Sequence, residues 1–152
     1  MADDQENPVD DSDERHLSRA VELAVEARAN GNPPFGSLLV DQRGEVIAEE
    51  RNTTLTDRDI TAHPELKLAR WAAMELPETA RRALTMFTSC EPCPMCANAI
   101  ARAQLARVVF ALSNDQLQAL KPAGFVNPDS AEVSYDGPAL GEQARAAVDG
   151  YY

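Results

Sequence analysis

The chain has 152 residues, and its 25 acids against 14 bases give a formal charge of −11. That length suits about one domain, large enough to bury a core without disulfides. The charge argues against a phosphate-binding surface, because nucleic-acid affinity rests largely on Lys and Arg neutralising phosphates.

The acidity is uneven. Seven acids (Asp3, Asp4, Glu6, Asp10, Asp11, Asp13 and Glu14) precede the first base, Arg15, and removing them leaves 18 acids against 14 bases. Residues 1–11 are expected to form a disordered acidic tail, and residues 12–152 a single domain. No run approaches the ~20 apolar residues of a membrane span, and the acidic N-terminus is the opposite of a signal peptide's. A cytoplasmic protein without membrane contact is expected.

In chain order, Ser12 or Asp13 can cap a helix whose apolar face is read as Leu17, Ala20, Val21, Ala24 and Val25, with His16 in solvent. Asn30-Gly31 and Pro33-Pro34 end it. Ser37–Val40 and Glu45–Ala48 read as a hairpin around Asp41–Gly44. Arg51–Thr61 is polar and aperiodic, hence a loop. A helix follows from about His63 to Met74, with Leu66, Ala69 and Ala73 on one face and Pro77 as its stop. Leu84–Thr88 reads as a strand, Cys93–Ala103 as a helix and Arg107–Leu112 as a strand. After a loop-like stretch to Ser130 come a short strand at Glu132–Tyr135 and a helix at Ala139–Val148. Alternating helices and strands imply an α/β sandwich around a mixed sheet.

Two segments carry chemistry: His63-Pro64-Glu65 and Pro92-Cys93-Pro94-Met95-Cys96. Both open helices on this reading, and Cys93 and Cys96 are three apart, on one face of a first turn. Free N–H groups and the positive dipole end favour thiolates there. Tetrahedral Zn²⁺ takes Cys sulfur and His nitrogen, with His63 as third ligand. The only other histidine is His16 and the only other cysteine Cys90. Three ligands and an open position describe a catalytic zinc, one per subunit, whose bound water has its pKa lowered towards ~7. Glu65 is placed to shuttle the proton. Taken by itself, Cys93-Pro94-Met95-Cys96 also resembles a glutaredoxin-type redox site. Cys90, Cys93 and Cys96 invite an iron–sulfur reading, although clusters take four thiolates.

His-x-Glu followed by Pro-Cys-x-x-Cys resembles the signature of the zinc-dependent cytidine/deoxycytidylate deaminase superfamily. Pro34-Phe35-Gly36, Asn52 and Thr88–Cys96 are most similar to the bacterial guanine deaminase and tRNA adenosine deaminase branch. The resemblance covers the first helix to Leu112. It implies a three-layer α/β/α sandwich with a five-stranded mixed sheet, assembled as a homodimer or higher oligomer. It also implies that Phe35 packs on the substrate ring and Asn52 hydrogen-bonds it. Asp115, Asp129 or Glu132 would supply a second acid, and Tyr151 or Tyr152 a C-terminal lid. The chain departs from the branch at Pro64, at Leu66–Arg70 and throughout the region after Leu112.

Three functions follow as expectations. The first is hydrolytic deamination of a small nucleobase, guanine to xanthine ahead of another base, nucleoside or amino-triazine. In it zinc-bound hydroxide attacks and Glu65 carries the proton. The second is a tRNA adenosine deaminase, which needs a basic surface; Arg81-Arg82 is the sole adjacent pair of bases. The third is a binding module with a structural zinc, for which Cys90 would have to be the fourth ligand.

Overall fold

A computed structural model describes residues 9–152. The chain runs α1 (Asp11–Ala29), β1 (Gly36–Val40), β2 (Val46–Arg51), α2 (Pro64–Glu75), α3 (Glu78–Arg81), β3 (Thr85–Cys90), α4 (Pro94–Arg102), β4 (Arg107–Leu112), α5 (Asn114–Leu120), a 3-10 turn (Pro128–Ser130) and α6 (Gly141–Val148).

The first helix starts earlier than its composition suggests. Asp10 is the N-cap: the Asp13 amide donates to Asp10 Oδ1 at 2.8 Å, and the Asp10 amide donates to Asp13 Oδ2 at 3.2 Å. This reciprocal box satisfies two otherwise unpaired amides. Asp11, Asp13 and Glu14 fill the first turn, where the helix dipole favours negative charge. Four of the seven leading acids are thus helix-start residues, and Asp10 and Asp11 do not belong to a disordered tail. The rest of that expectation, residues 1–8, lies outside the described residues.

Four strands form the sheet among the described residues, in the order β2-β1-β3-β4. β1 is antiparallel to both β2 and β3, and β3 is parallel to β4. Strand alternation sends side chains to two helical layers. Leu38 and Val40 of β1, Phe87 of β3 and Val109 of β4 pack with Ala20 and Leu23 of α1. On the other face Leu39 and Met86 pack with Leu68, Ala69 and Ala72 of α2 and with Ile100 and Ala103 at α4. The three-layer mixed-sheet sandwich is therefore present with four strands, not five. Glu132–Tyr135 forms no strand: between Pro128 and Gly137-Pro138 it pairs with nothing, and its side chains face solvent. Residues 114–120, expected to be loop-like, form α5, capped reciprocally by Ser113 and Gln116.

The helix faces are rotated from those read in the sequence. Ala20, Leu23, Ala24 and Ala27 are the buried stripe of α1, while Val21 and Val25 are 44% and 64% exposed. The cause is close contact at Gly36, where a Cβ would stand 2.4 Å from Leu23 Cβ and 2.5 Å from the Ala20 carbonyl oxygen. His16, expected in solvent, is half-buried, its ring 4.9 Å from that of Phe87. In α2 the buried face is Glu65, Leu68, Ala69 and Ala72, with Ala73 exposed. No helix among the described residues is long and apolar enough to cross a membrane.

Candidate metal centre and active site

His63 caps the N-terminus of α2 and Cys93 that of α4, each followed by proline at the first helical position. Proline suits that position because it has no N–H to leave unpaired and its φ is already helical. Cys96 is the third residue of α4, and side chains at the cap and third positions meet over a helix mouth. The two helix mouths face each other. His63 Nδ1 lies 3.6 Å from Cys93 Sγ and 3.5 Å from Cys96 Sγ.

A zinc about 2.3 Å from sulfur and 2.0–2.1 Å from nitrogen, at tetrahedral angles, requires S···N separations of about 3.6 Å. The three donors fit the ion in spacing as well as in kind. They form the one such cluster of His, Cys, Asp and Glu among the described residues, and Cys90, half-buried at the end of β3, is not part of it. With no fourth protein donor among the described residues, the set fits a catalytic zinc better than the structural-zinc module, which needs one.

The charges at the cluster are interdependent. A hydrogen bond from Cys96, reinforced by His63, holds the Cys93 thiol well below its ordinary value. That same bond, burial and the charge of Glu65 push Cys96 up. The Cys93 sulfur raises the His63 ring against the opposing effect of burial. A metal ion held by the three donors would favour the thiolate form of both sulfurs.

Glu65, at the second position of α2, points into the sandwich and is buried. Its Oε1 lies 3.1 Å from Ser37 Oγ on β1 and 3.3 Å from Thr88 Oγ1 on β3, and those hydroxyls are 2.7 Å apart. Burial raises its carboxyl above the usual range, opposed by the hydrogen bonds from Ser37 and Cys96 and by the His63 charge. The two hydroxyls were not anticipated. The signal was present as polar residues inside otherwise apolar strands, but no spacing rule links positions 37, 65 and 88.

Loop closure brings the backbone at Asn52 back towards His63. Its amide donates to the Phe35 carbonyl at 2.9 Å, Thr53 N donates to Ala62 O at 3.1 Å, and the next residue is His63. Eleven positions of chain thus return to the same place. Lys67 of α2 holds the loop through Thr53 Oγ1 and Glu50, and buried Asn32 Oδ1 accepts from the amides of Leu55 and Thr56. Asn52 Oδ1 accepts from the Thr54 amide and hydroxyl at 2.9 and 2.8 Å. Its NH₂ has no protein partner among the described residues, and with Asn52 2% exposed as a whole that group keeps only a small opening to solvent. Phe35 is half-buried beside it.

The remaining candidates are dispersed. The charge of Asp129, in the 3-10 turn, helps to raise His63. Asp115 is exposed in the first turn of α5, and Glu132 is exposed without a hydrogen-bonded partner. Tyr151 is 80% exposed, its ring against that of Tyr152. Two cavities have none of the three donors in their linings. One of about 500 Å³ is lined by Asp41, Arg43, Ile47, Leu76 and Ala80, and one of about 280 Å³ by Glu91, Ala97, Ile100, Val108 and Phe110.

Comparison with known proteins agrees with this geometry. Residues 10–112 match the cytidine and deoxycytidylate deaminase zinc-binding region. The chain is 41% identical over 124 residues to a guanine deaminase of Bacillus subtilis, covering 81% of this chain and 70% of that one. It is 36% identical to a tRNA-specific adenosine deaminase of Haemophilus influenzae over 67% of this chain and 59% of the relative. The identity to a probable cytosine deaminase of Schizosaccharomyces pombe is also 36%, over 70% and 64%. The chain thus spans less than two thirds of the latter two relatives. The solved structure of the Bacillus subtilis guanine deaminase superposes with a TM-score of 0.73 at 30% identity, over 91% of this chain and 92% of that one. By the match of residues 10–112, and by the His63, Cys93 and Cys96 donors that it contains, the chain belongs to the cytidine and deoxycytidylate deaminase family.

Proposed function

We propose that the chain is a zinc-dependent hydrolytic deaminase of a small nucleobase, with guanine, converted with water to xanthine and ammonia, as its first substrate. The observation that supports this best is a three-donor cluster with a buried carboxylate, Glu65, beside it. The roles follow from placement. His63, Cys93 and Cys96 hold the ion. When bound, zinc supplies Lewis acidity that makes water nucleophilic near neutral pH. Glu65 accepts one proton of the attacking water and delivers it to a ring nitrogen, then carries the second proton of that water to the amino group, which departs as ammonia. The Asn52 NH₂ donates a hydrogen bond to the ring, and Phe35 packs on it. Asp129, whose charge reaches His63, is the candidate for an assisting acid ahead of Asp115 and Tyr151, which are exposed.

Guanine is placed first because the likeness to the Bacillus subtilis guanine deaminase extends over 91% of this chain. A tRNA adenosine is the second reading, favoured by 36% identity to the Haemophilus influenzae enzyme. Against it, six of the 14 bases (Arg19, Arg43, Arg51, Lys67, Arg82 and Arg107) are paired with carboxylates. The partner besides substrate is a further copy of the chain. Residues 113–152 contain no buried residue, and among them Leu120, Val126, Tyr135 and Leu140 are exposed for a homodimer or higher oligomer to cover. Ammonia release should be screened over guanine, adenine, cytosine, their nucleosides, pterins and amino-triazines, with light scattering for the assembly. Turnover of guanine is expected. Tight, salt-sensitive tRNA binding with no free-base turnover would favour the second reading.

A further inference from the structure

Ser37 and Thr88 are register partners across the antiparallel β1–β3 ladder, and both are fully buried. On a pleated sheet such partners point to the same face, here the one that α2 covers. Two hydroxyls side by side in a sheet face otherwise lined by Leu39 and Met86 are costly unless they bond to each other and to something further. Glu65 meets that need. Ser37 Oγ, Thr88 Oγ1 and Glu65 Oε1 form a triangle with sides of 2.7, 3.1 and 3.3 Å. The two hydroxyl protons can make only two of the three contacts at once. One hydroxyl donates to the carboxylate while the other donates to its neighbour, and the roles can exchange.

The consequence lies at the other oxygen. Oε2 of Glu65 takes neither hydroxyl, and the carboxyl is also bonded by the thiol of Cys96, one of the three cluster donors. We propose that Ser37 and Thr88 are positioning residues for Glu65, their hydroxyl pair clamping Oε1 so that Oε2 is left for the side of the donor cluster. The Gly36 amide, held by Ser89 Oγ at 3.1 Å, and the ladder itself fix both hydroxyls on rigid strands. The clamp therefore belongs to the scaffold and not to a loop. This inference rests on the proposed role of Glu65 as proton carrier.

The test compares Ser37→Ala, the near-isosteric Thr88→Val, the double variant, and Thr88→Ser, which keeps the hydroxyl and loses a methyl. Zinc content and thermal melting establish that each variant is folded and loaded. In each single variant the surviving hydroxyl still reaches Oε1, so kcat should fall only about three- to tenfold. The double variant should lose about a hundredfold, at the low end of what general acid–base catalysis contributes. KM should stay within about twofold throughout, and Thr88→Ser should stay near wild type.

A second readout does not depend on turnover. In a crystal structure of the double variant the Glu65 carboxylate should leave its single position, through rotation or a second conformer. The inference is overturned if the double variant keeps wild-type kcat, if the loss falls on KM, if Thr88→Ser fails as badly as Thr88→Val, or if the carboxylate does not move. A wild type that releases no ammonia from any compound of the panel would instead remove the proposed function, and the position of the carboxylate would still decide the clamp.

Discussion

The Asp13 carboxylate receives both terminal nitrogens of Arg107, at 3.0 and 2.9 Å, and so ties the first turn of α1 to the first residue of β4 across 94 positions. The fork is bidentate, the geometry in which guanidinium and carboxylate bond best. Asp13 also closes the capping box with Asp10, so one side chain serves the helix start and the sheet edge.

Arg107 holds the Asp13 carboxyl below its usual range. A depressed folded pKa adds stability that is complete above the unfolded value, near 3.8, and disappears as pH falls through the folded value. The Asp13 side chain is 9% exposed, but Arg107 is 34% exposed, which screens the pair. Arg107→Ala should therefore cost about 1–2 kcal/mol at pH 7 and progressively less as the pH falls below 3.8, by denaturant unfolding at both ends of that range. An equal loss at the two would contradict the linkage.

Gly36 lets α1 lie directly on β1. A Cβ there meets the Ala20 carbonyl and the Ala24 amide as well as Leu23, and backbone cannot yield as a side chain tip would. Gly36→Ala should destabilise by about 3 kcal/mol or more, at or beyond the usual range for overpacking. A melting temperature within a degree or two of wild type would show that the layers separate freely.

Loss of one of three donors should empty the metal centre. Cys96→Ser should lower zinc affinity by more than the 10–100-fold that loss of a supporting partner costs. Zinc per chain measured after dialysis against a weak chelator checks this, and retention of one equivalent would point to another ligand set.

Glu65→Gln keeps the hydrogen-bonding shape of the side chain and removes its capacity to take up a proton. It should retain zinc and lose about 10²–10⁴ in kcat. Ammonia release at the wild-type rate would end the assignment of Glu65.

Asn52→Asp preserves the acceptor that holds Thr54 and replaces the donor NH₂. Its kcat/KM should fall by about tenfold or more, corresponding to ~1.4 kcal/mol or more, with thermal stability nearly unchanged. Unaltered kinetics would leave Asn52 as a turn residue only.

The local features were legible where one short stretch of chain decides them. Proline after His63 and after Cys93 marks helix starts whatever surrounds them. The Cys93–Cys96 spacing puts both sulfurs at a single helix mouth. Arg107–Leu112 is read to the residue as a strand because its apolar run is short and β-branched. Features set by a partner distant in sequence were misread. Val21 and Val25 have the right period for a buried face, but the contact at Gly36 turns Leu23 and Ala27 inward instead. Asp10 and Asp11 have the composition of a tail, but Asp13, anchored by Arg107, makes them a helix start.

The amino-acid sequence by itself determined the donor set, the carboxylate beside it and the family, because ligand chemistry and helix-start spacing are local properties of the chain. The −11 charge was local too, although most of its leading acids prove to cap and dock a helix. Only the tertiary structure decided that Glu65 is buried against Ser37 and Thr88 and that Asn52 closes back on His63. Those contacts join two strands, a helix and a loop, and no local pattern encodes distances that packing alone sets.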